Sequence, residues 1–430
     1  MEEKHMNSQN GNNSKTISIN MILIIIVIIL ILILIFVSVS NIGKKEPTNA
    51  NNTNNEITNG ILNEVEEPHN STNETNTIAN ITTDPNANNP EVAKIGEETY
   101  NSLQEAINAV EDIKPTPTAT VSPTPTPTPV EPTKITLLKN ISGTFIIGAN
   151  KHIIIDMGEY SISGVGDKEV FTVNGNLELQ NGKIIGKYNK QNLCAVKVNK
   201  SGTLICDKMN LDLTAGEFGW IISNDGALSI KSSRLDYPKG TAISNNGVIE
   251  EIGGESYISS NDNYIALYNL GTINKMSGGE IASNSYAVFN SGKIEEISGN
   301  IKINSLNSYG IYNSGTIGSI IDSVEVNSSS VDTATIYNNS GKIDKISGNV
   351  KINAEHNRAI YNLGTITEIS GNVIINTNGE YAVSTIYNSN PGELTILGGT
   401  ISHKNGGISV FREGGEVNIT GGNISSKYNC

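Results

Sequence analysis

Beyond position 133, three histidines (His152, His356, His403) and three arginines (Arg234, Arg358, Arg412) are the side chains best suited to proton transfer or anion binding. Hydrolysis of a glycosidic bond requires two carboxylates that converge on one atom pair. Metal-assisted elimination requires several acids around a calcium and a basic Arg or Lys. Neither pattern is legible: the histidines fall in different repeats, and no G-H-G or D-D run occurs in this region. The densest charge column carries one residue per repeat, at Glu251, Lys275, Glu296, Ser319, Lys345 and Glu368. Its signs alternate, as expected of an ion-pair ladder between stacked strands, each pair contributing about 0.2–1 kcal/mol. No catalytic residue, metal-ligand set or cofactor is therefore expected. Cys194, Cys206 and Cys430 are odd in number and form no C-x-x-C pair, so neither a disulfide framework nor a zinc site is readable. Free buried thiols are expected, with one Cys194–Cys206 bridge left open.

What must position these residues is a repeat. Anchored on asparagine, the chain recurs at Asn174, Asn199, Asn224, Asn245, Asn269, Asn290, Asn313, Asn338, Asn362 and Asn388, with spacings between 21 and 26 residues. A period so constant demands a solenoid. Within one period lie three short runs of mostly alternating apolar residues, each closed by Gly, Asn or Ser; from Ala359 they read AIYN, TITEI and NVIIN. Runs this short leave no room for a helix, so each period is one coil of three strands in an all-β, right-handed parallel β-helix over 134–430. Leucine-rich repeats share the period, but their leucine consensus is missing, as are the tandem G-G-x-G-x-D units of calcium-binding helices.

Two columns stand out. Asn at a fixed turn tolerates left-handed backbone, and its amide can bond the next Asn up the stack, so the ten asparagines are expected to form a structural ladder. One residue earlier runs an aromatic column, Tyr268, Phe289, Tyr312, Tyr337, Tyr361, Tyr387 and Phe411. Pointing outward it would be a stripe able to stack on sugars; pointing inward it would be a stacked core.

The N-terminal third differs in kind. Met21–Val37 is wholly apolar and extends through Val39, long enough at about 1.5 Å per residue to span a hydrocarbon core of roughly 28 Å. An uncleaved single-pass anchor is expected over 21–39, behind a cytoplasmic tail at 1–20. Ser38 and Ser40 leave a cleaved signal peptide open. Residues 40–94 read as a disordered stalk rich in Asn and Thr. Residues 95–114 read as a strand and an amphipathic helix able to cap the solenoid, with Ser102 and Glu105 as a capping box. Residues 115–133 alternate Thr and Pro, a semi-rigid polyproline spacer of roughly 60 Å. Positions 46–133 hold 14 acidic and 2 basic residues, whereas 134–430 hold 27 and 23, so the stalk repels itself and extends. A formal charge of −14 argues against a nucleic-acid partner.

The segments AKIGEETYNSLQEAI, KITLLKNI, HIIIDMGEYSISG, LTILGGTIS and VNITGGNIS resemble the large β-helical surface proteins of gut and other anaerobic bacteria, over residues 93–110 and 134–430. In that family the short helix runs almost straight into the ITLL strand; here the Thr/Pro segment intervenes. The resemblance implies a pectate-lyase-like fold displayed on a Gram-positive-type cell membrane, with the C-terminal domain extracellular and an adhesin-like role. The expected function is non-enzymatic adhesion or contact with glycans on a host or neighbouring cell. Because the same fold houses uronate lyases and hydrolases, a polysaccharide-cleaving enzyme is the alternative, and a structural envelope protein the third reading.

Overall fold

Ile, Val and Asn recur at matching positions of every repeat, so stacking the repeats buries them together. The computed structural model describes residues 90–113, 131–187, 193–213, 219–261, 263–379 and 382–427, and in them nearly every period is one coil of a parallel β-solenoid. The apolar run at 21–39, the stalk before residue 90 and residues 114–130 lie outside the described set. No helix among the described residues is long and apolar enough to cross a membrane.

A representative coil has Arg358–Asn362 in one sheet, Thr365–Ile369 in the next and Ile374–Thr377 in the third. We call these sheets C, A and B; they contain 12, 15 and 13 strands. Matching residues pair in parallel register from coil to coil, as Ile336 with Ile360 and Ile360 with Ile386. Inward side chains of the three sheets meet in one continuous core, in which Ile311, Ile336, Ile360 and Ile386 are fully buried. Each such side chain contributes about 1.5–3 kcal/mol relative to exposure.

The N-terminal end is closed by a separate device. Strand β1 (Ala93–Ile95) pairs antiparallel with β2 (Glu98–Tyr100) on one side and with β3 (Thr133–Leu137) on the other. Helix α1 (Leu103–Ala109) follows, its first turn capped by Ser102 Oγ, which accepts from Glu105 N at 3.1 Å. Leu103, Ala106, Ile107 and Val110 are buried against the first coil. Gln104 fastens the helix to Ile146, donating Nε2 to its carbonyl (3.2 Å) and accepting its amide at Oε1 (2.9 Å). The helix therefore caps the solenoid despite the Thr/Pro insertion. Both flanks of that insertion belong to this same end, for Ile113 N donates to Asn150 O at 2.8 Å and Thr133 pairs with Ile153. Strand β1 accordingly begins at Ala93, inside the stretch read as stalk, and β3 at Thr133, the last residue of the stretch read as spacer.

Sheet A departs from simple alternation. Its early strands, such as Asn176–Gln180, alternate strictly, but the register shifts at Val248–Gly253, where Glu250 is an extra residue. Counting that strand, six coils carry two adjacent outward residues between inward ones, until Glu393–Ile396 restores alternation. The charge column occupies this stack of bulges.

Candidate functional site: an aromatic face pinned by asparagines

The inward residue that ends each sheet C strand is asparagine from Asn224 onward. Seven bonds of 2.7–2.8 Å run from each Nδ2 to the Oδ1 of the next coil's asparagine: Asn224, Asn245, Asn269, Asn290, Asn313, Asn338, Asn362 and finally Asn388. All eight are fully buried. The following turn is tight: a Cβ on Gly292 would lie 2.0 Å from Gly271 O, so this column of the turn admits only glycine there. At the C-terminal end Arg412 takes the next rung, its Nε donating to Gly415 O at 2.8 Å.

Asn174 and Asn199 do not share this register. The rung they were expected to fill is held by Val173 and Val198, and Val198 pairs with Asn224. The two asparagines stand one residue later, half-exposed in the turn, where Asn199 Nδ2 donates to Asn174 Oδ1 at 2.7 Å. An apolar residue satisfies the inward position in these first coils, which pushes the turn-forming Asn outward by one.

The aromatic column lies between the inward Ile and Asn, so it faces out. Tyr268, Phe289, Tyr312, Tyr337, Tyr361, Tyr387 and Phe411 form one stripe, each half-buried by its neighbours, with centroids 4.7–5.4 Å apart from ring to ring. Phe289 and Tyr312 are parallel to within 4°. Tyr286 and Tyr309, from the corner before sheet C, double the width of the stripe at its middle, 5.1–5.9 Å from its rings. Burial among these rings pushes the Tyr309 hydroxyl up to about 12. Asn339 Nδ2 donates to Tyr312 Oη at 2.6 Å, fixing that ring's tip. Arg358 supplies the stripe's cation, 4.7 Å from the Tyr387 centroid and 5.5 Å from that of Tyr361.

A second asparagine ladder lies on the outer face of sheet B. Asn327 Nδ2 donates to Asn304 Oδ1 (2.8 Å) and Asn353 Nδ2 to Asn327 Oδ1 (2.9 Å). It borders a shallow groove of about 340 Å³ lined by Tyr257, Ser259, Asn284, Asn304, Leu306 and Asn327. Sequence reading missed this ladder, although the KIN, EVN, KIN and IIN runs carry its signal.

No family model, curated protein or solved structure matches the chain. The functional reading therefore rests on the geometry.

The charge column pairs locally. Lys275 Nζ lies 3.3 Å from Glu296 and Lys345 Nζ 3.0 Å from Glu368. Hydrogen bonds from Ser298 and Ser370, then the lysines, hold the two carboxyls below the usual range. Glu251 instead accepts from Ser277 Oγ at 2.7 Å. His403 is buried in a column that holds Ser305, Ser328, Ala354 and Thr377 on preceding coils; Nε2 bonds Ala382 O (2.8 Å) and Nδ1 accepts from Gly407 N (3.0 Å). That pairing fixes the ring as a corner brace. Among the described residues no group of three His, Cys, Asp or Glu side chains could hold a metal ion. Cys194 and Cys206 are buried thiols not joined in a disulfide, and burial pushes both up to about 12. Cys430 lies outside the described residues.

Proposed function

We propose that this is a membrane-anchored surface protein that presents its β-solenoid outside the cell and contacts glycans without cleaving them. The observation that carries this reading is the outward aromatic stripe. Seven rings on successive coils offer a sugar a continuous apolar face, bounded by hydroxyls that can reach its polar edge. The rigid core beneath, locked by the buried asparagine ladder, pre-organises that face, so little side-chain freedom is lost on binding. The apolar run at 21–39 supports the tether and the acidic stalk supports display at a distance, with residues 1–20 in the cytoplasm. The dispersal of His152, His356 and His403 over separate coils and the pairing of Glu296 and Glu368 with lysines support the non-enzymatic part, since acid–base catalysis needs groups held together with tuned pKa values.

The test uses the full-length chain on a glycan array and in a lyase assay with polygalacturonate, with and without calcium. Binding without turnover is expected. Changing Tyr312, Tyr337 and Tyr361 together to Ser should abolish binding while the melting curve remains cooperative. Turnover above background would overturn the non-enzymatic reading, and binding that survives the triple change would remove the aromatic face as the contact surface.

A further inference from the structure

Three buried side-chain polar atoms have no hydrogen-bond partner among the described residues: Thr333 Oγ1, Arg358 Nε and Ser384 Oγ. They are not scattered. Thr333 directly precedes Ala334, which pairs in register with Arg358 on the next coil. The pairing of Ile360 with Ile386 then sets Ser384 opposite Arg358 on the coil after that. All three atoms thus stand at one corner, where sheet B turns into sheet C, on successive coils roughly 4.8 Å apart. Buried polar groups are almost always bonded, and a cluster of exceptions at one place requires an explanation. Ser384 is fully buried, whereas the hydroxyl of its neighbour Thr385 donates to Ser402 O at 3.0 Å, so the missing partner is specific to this corner.

Arg358 itself is a half-buried cation with few obligations to the protein. Its guanidinium has five N–H donors, and among the described residues hydrogen bonding engages Nη1 alone, with Asn357 Oδ1 at 3.3 Å. Tyr361 and Tyr387 flank it at 5.5 and 4.7 Å, which fixes the cation against their faces and leaves its edge as a donor fork. Glu413 feels the charge of Arg358, but its hydrogen bonds come from the Tyr387 hydroxyl and from Ser389 Oγ at 2.7 Å. The middle of the stripe, around Tyr286, Phe289, Tyr309 and Tyr312, is aromatic with no cation stacked on it among the described residues. The face therefore has two chemistries, a neutral aromatic stretch and a guanidinium set between two rings.

The geometry points to a carboxylate subsite at Arg358, which makes the ligand an acidic glycan bearing uronate- or sialate-type sugars. A sugar ring lies against Tyr361 or Tyr387 and its carboxylate accepts from the exposed Nη edge of the guanidinium, whose Nε is buried toward the Ser384 and Thr333 hydroxyls. A planar fork suits a carboxylate better than a lysine point charge does. This inference rests on the glycan-contact reading of the stripe and adds the sugar class.

Binding of the full-length chain is measured by calorimetry against a panel of uronate and sialate oligosaccharides, each alongside its carboxyl-reduced alcohol. For at least one pair the acidic form should bind about tenfold more tightly. Arg358→Gln should erase that preference, so that the acidic and reduced forms bind alike, while Arg358→Lys recovers part of it. A melting temperature equal to the parent's excludes misfolding as the cause. Equal binding of acidic and reduced forms by the parent, or a preference that survives Arg358→Gln, overturns the subsite and leaves the aromatic contact standing. Binding of neither form anywhere in the panel overturns the acidic-glycan inference, and a neutral glycan lost in the triple serine variant would show that the stripe still works.

Discussion

Replacing Asn338 by Ala tests whether the ladder pins the coils. Asn338 is fully buried; its Oδ1 accepts from Asn313 Nδ2 at 2.8 Å, and its Nδ2 donates to Asn362 Oδ1 at 2.8 Å and Thr365 O at 3.3 Å. Alanine removes all three. Asn313 Nδ2 keeps only the longer contacts to Gly315 O (3.3 Å) and Lys342 O (3.4 Å), and Asn362 Oδ1 keeps Gly364 N at 3.3 Å. A buried group left unsatisfied costs about 1–3 kcal/mol, and the residual contacts soften two such losses to a total of about 2 kcal/mol. Asn338→Asp keeps the volume and isolates the hydrogen bonding. Its carboxyl, buried and facing Asn362 Oδ1, would have a folded pKa above the unfolded value of about 3.9. The folded chain then binds the proton more tightly, so the deficit should be smallest below about pH 4 and grow as pH rises toward the folded pKa. Urea unfolding followed by circular dichroism gives the midpoints, and hydrogen exchange at the amides of 339–342 and 363–365 reports whether the loss is local. A cost under about 0.5 kcal/mol for Asn338→Ala, or an aspartate deficit independent of pH, would refute the ladder as a source of stability.

Two further outcomes follow from the same geometry. Lys345→Ala should cost under about 1 kcal/mol in the same urea titration, because its partner Glu368 lies 3.0 Å away on an exposed bulge; a larger loss than that of Asn338→Ala would mean the buried column was misassigned. Asp225 is held below its usual range by hydrogen bonds from Lys197 and Asn246. A lowered folded pKa stabilises above the unfolded value of 3.8 and is lost as pH falls through the folded value, so Asp225→Asn should be less stable than the parent near neutrality and converge with it in strong acid. Thermal melts across that range decide it, and parallel pH profiles would sink the assignment.

The sequence by itself determined the period, the three strands per coil and the capped helix, because these depend on residues close in the chain. Ser102 and Glu105 are three apart, and Leu103, Ala106, Ile107 and Val110 share one helical face whatever surrounds them. The ladder from Asn224 onward was legible for the same reason: N-x-G recurs with Ile two positions before the Asn in most coils. What stacking joins lies 21 to 26 residues apart, and there only the tertiary structure decided. A period of two tells that Tyr337 and Asn338 face opposite ways, but not which face is the core when both carry large side chains. The fully buried Asn and Ile settle that the rings face out. Coil-to-coil register alone shows that Val198, not Asn199, sits beneath Asn224, since a one-residue slip leaves the repeat spacing nearly unchanged. The inserted Glu250 that widens sheet A across six coils, and the gathering of Thr333, Arg358 and Ser384 at one corner, come from strands laid about 4.8 Å apart, a distance no local pattern encodes.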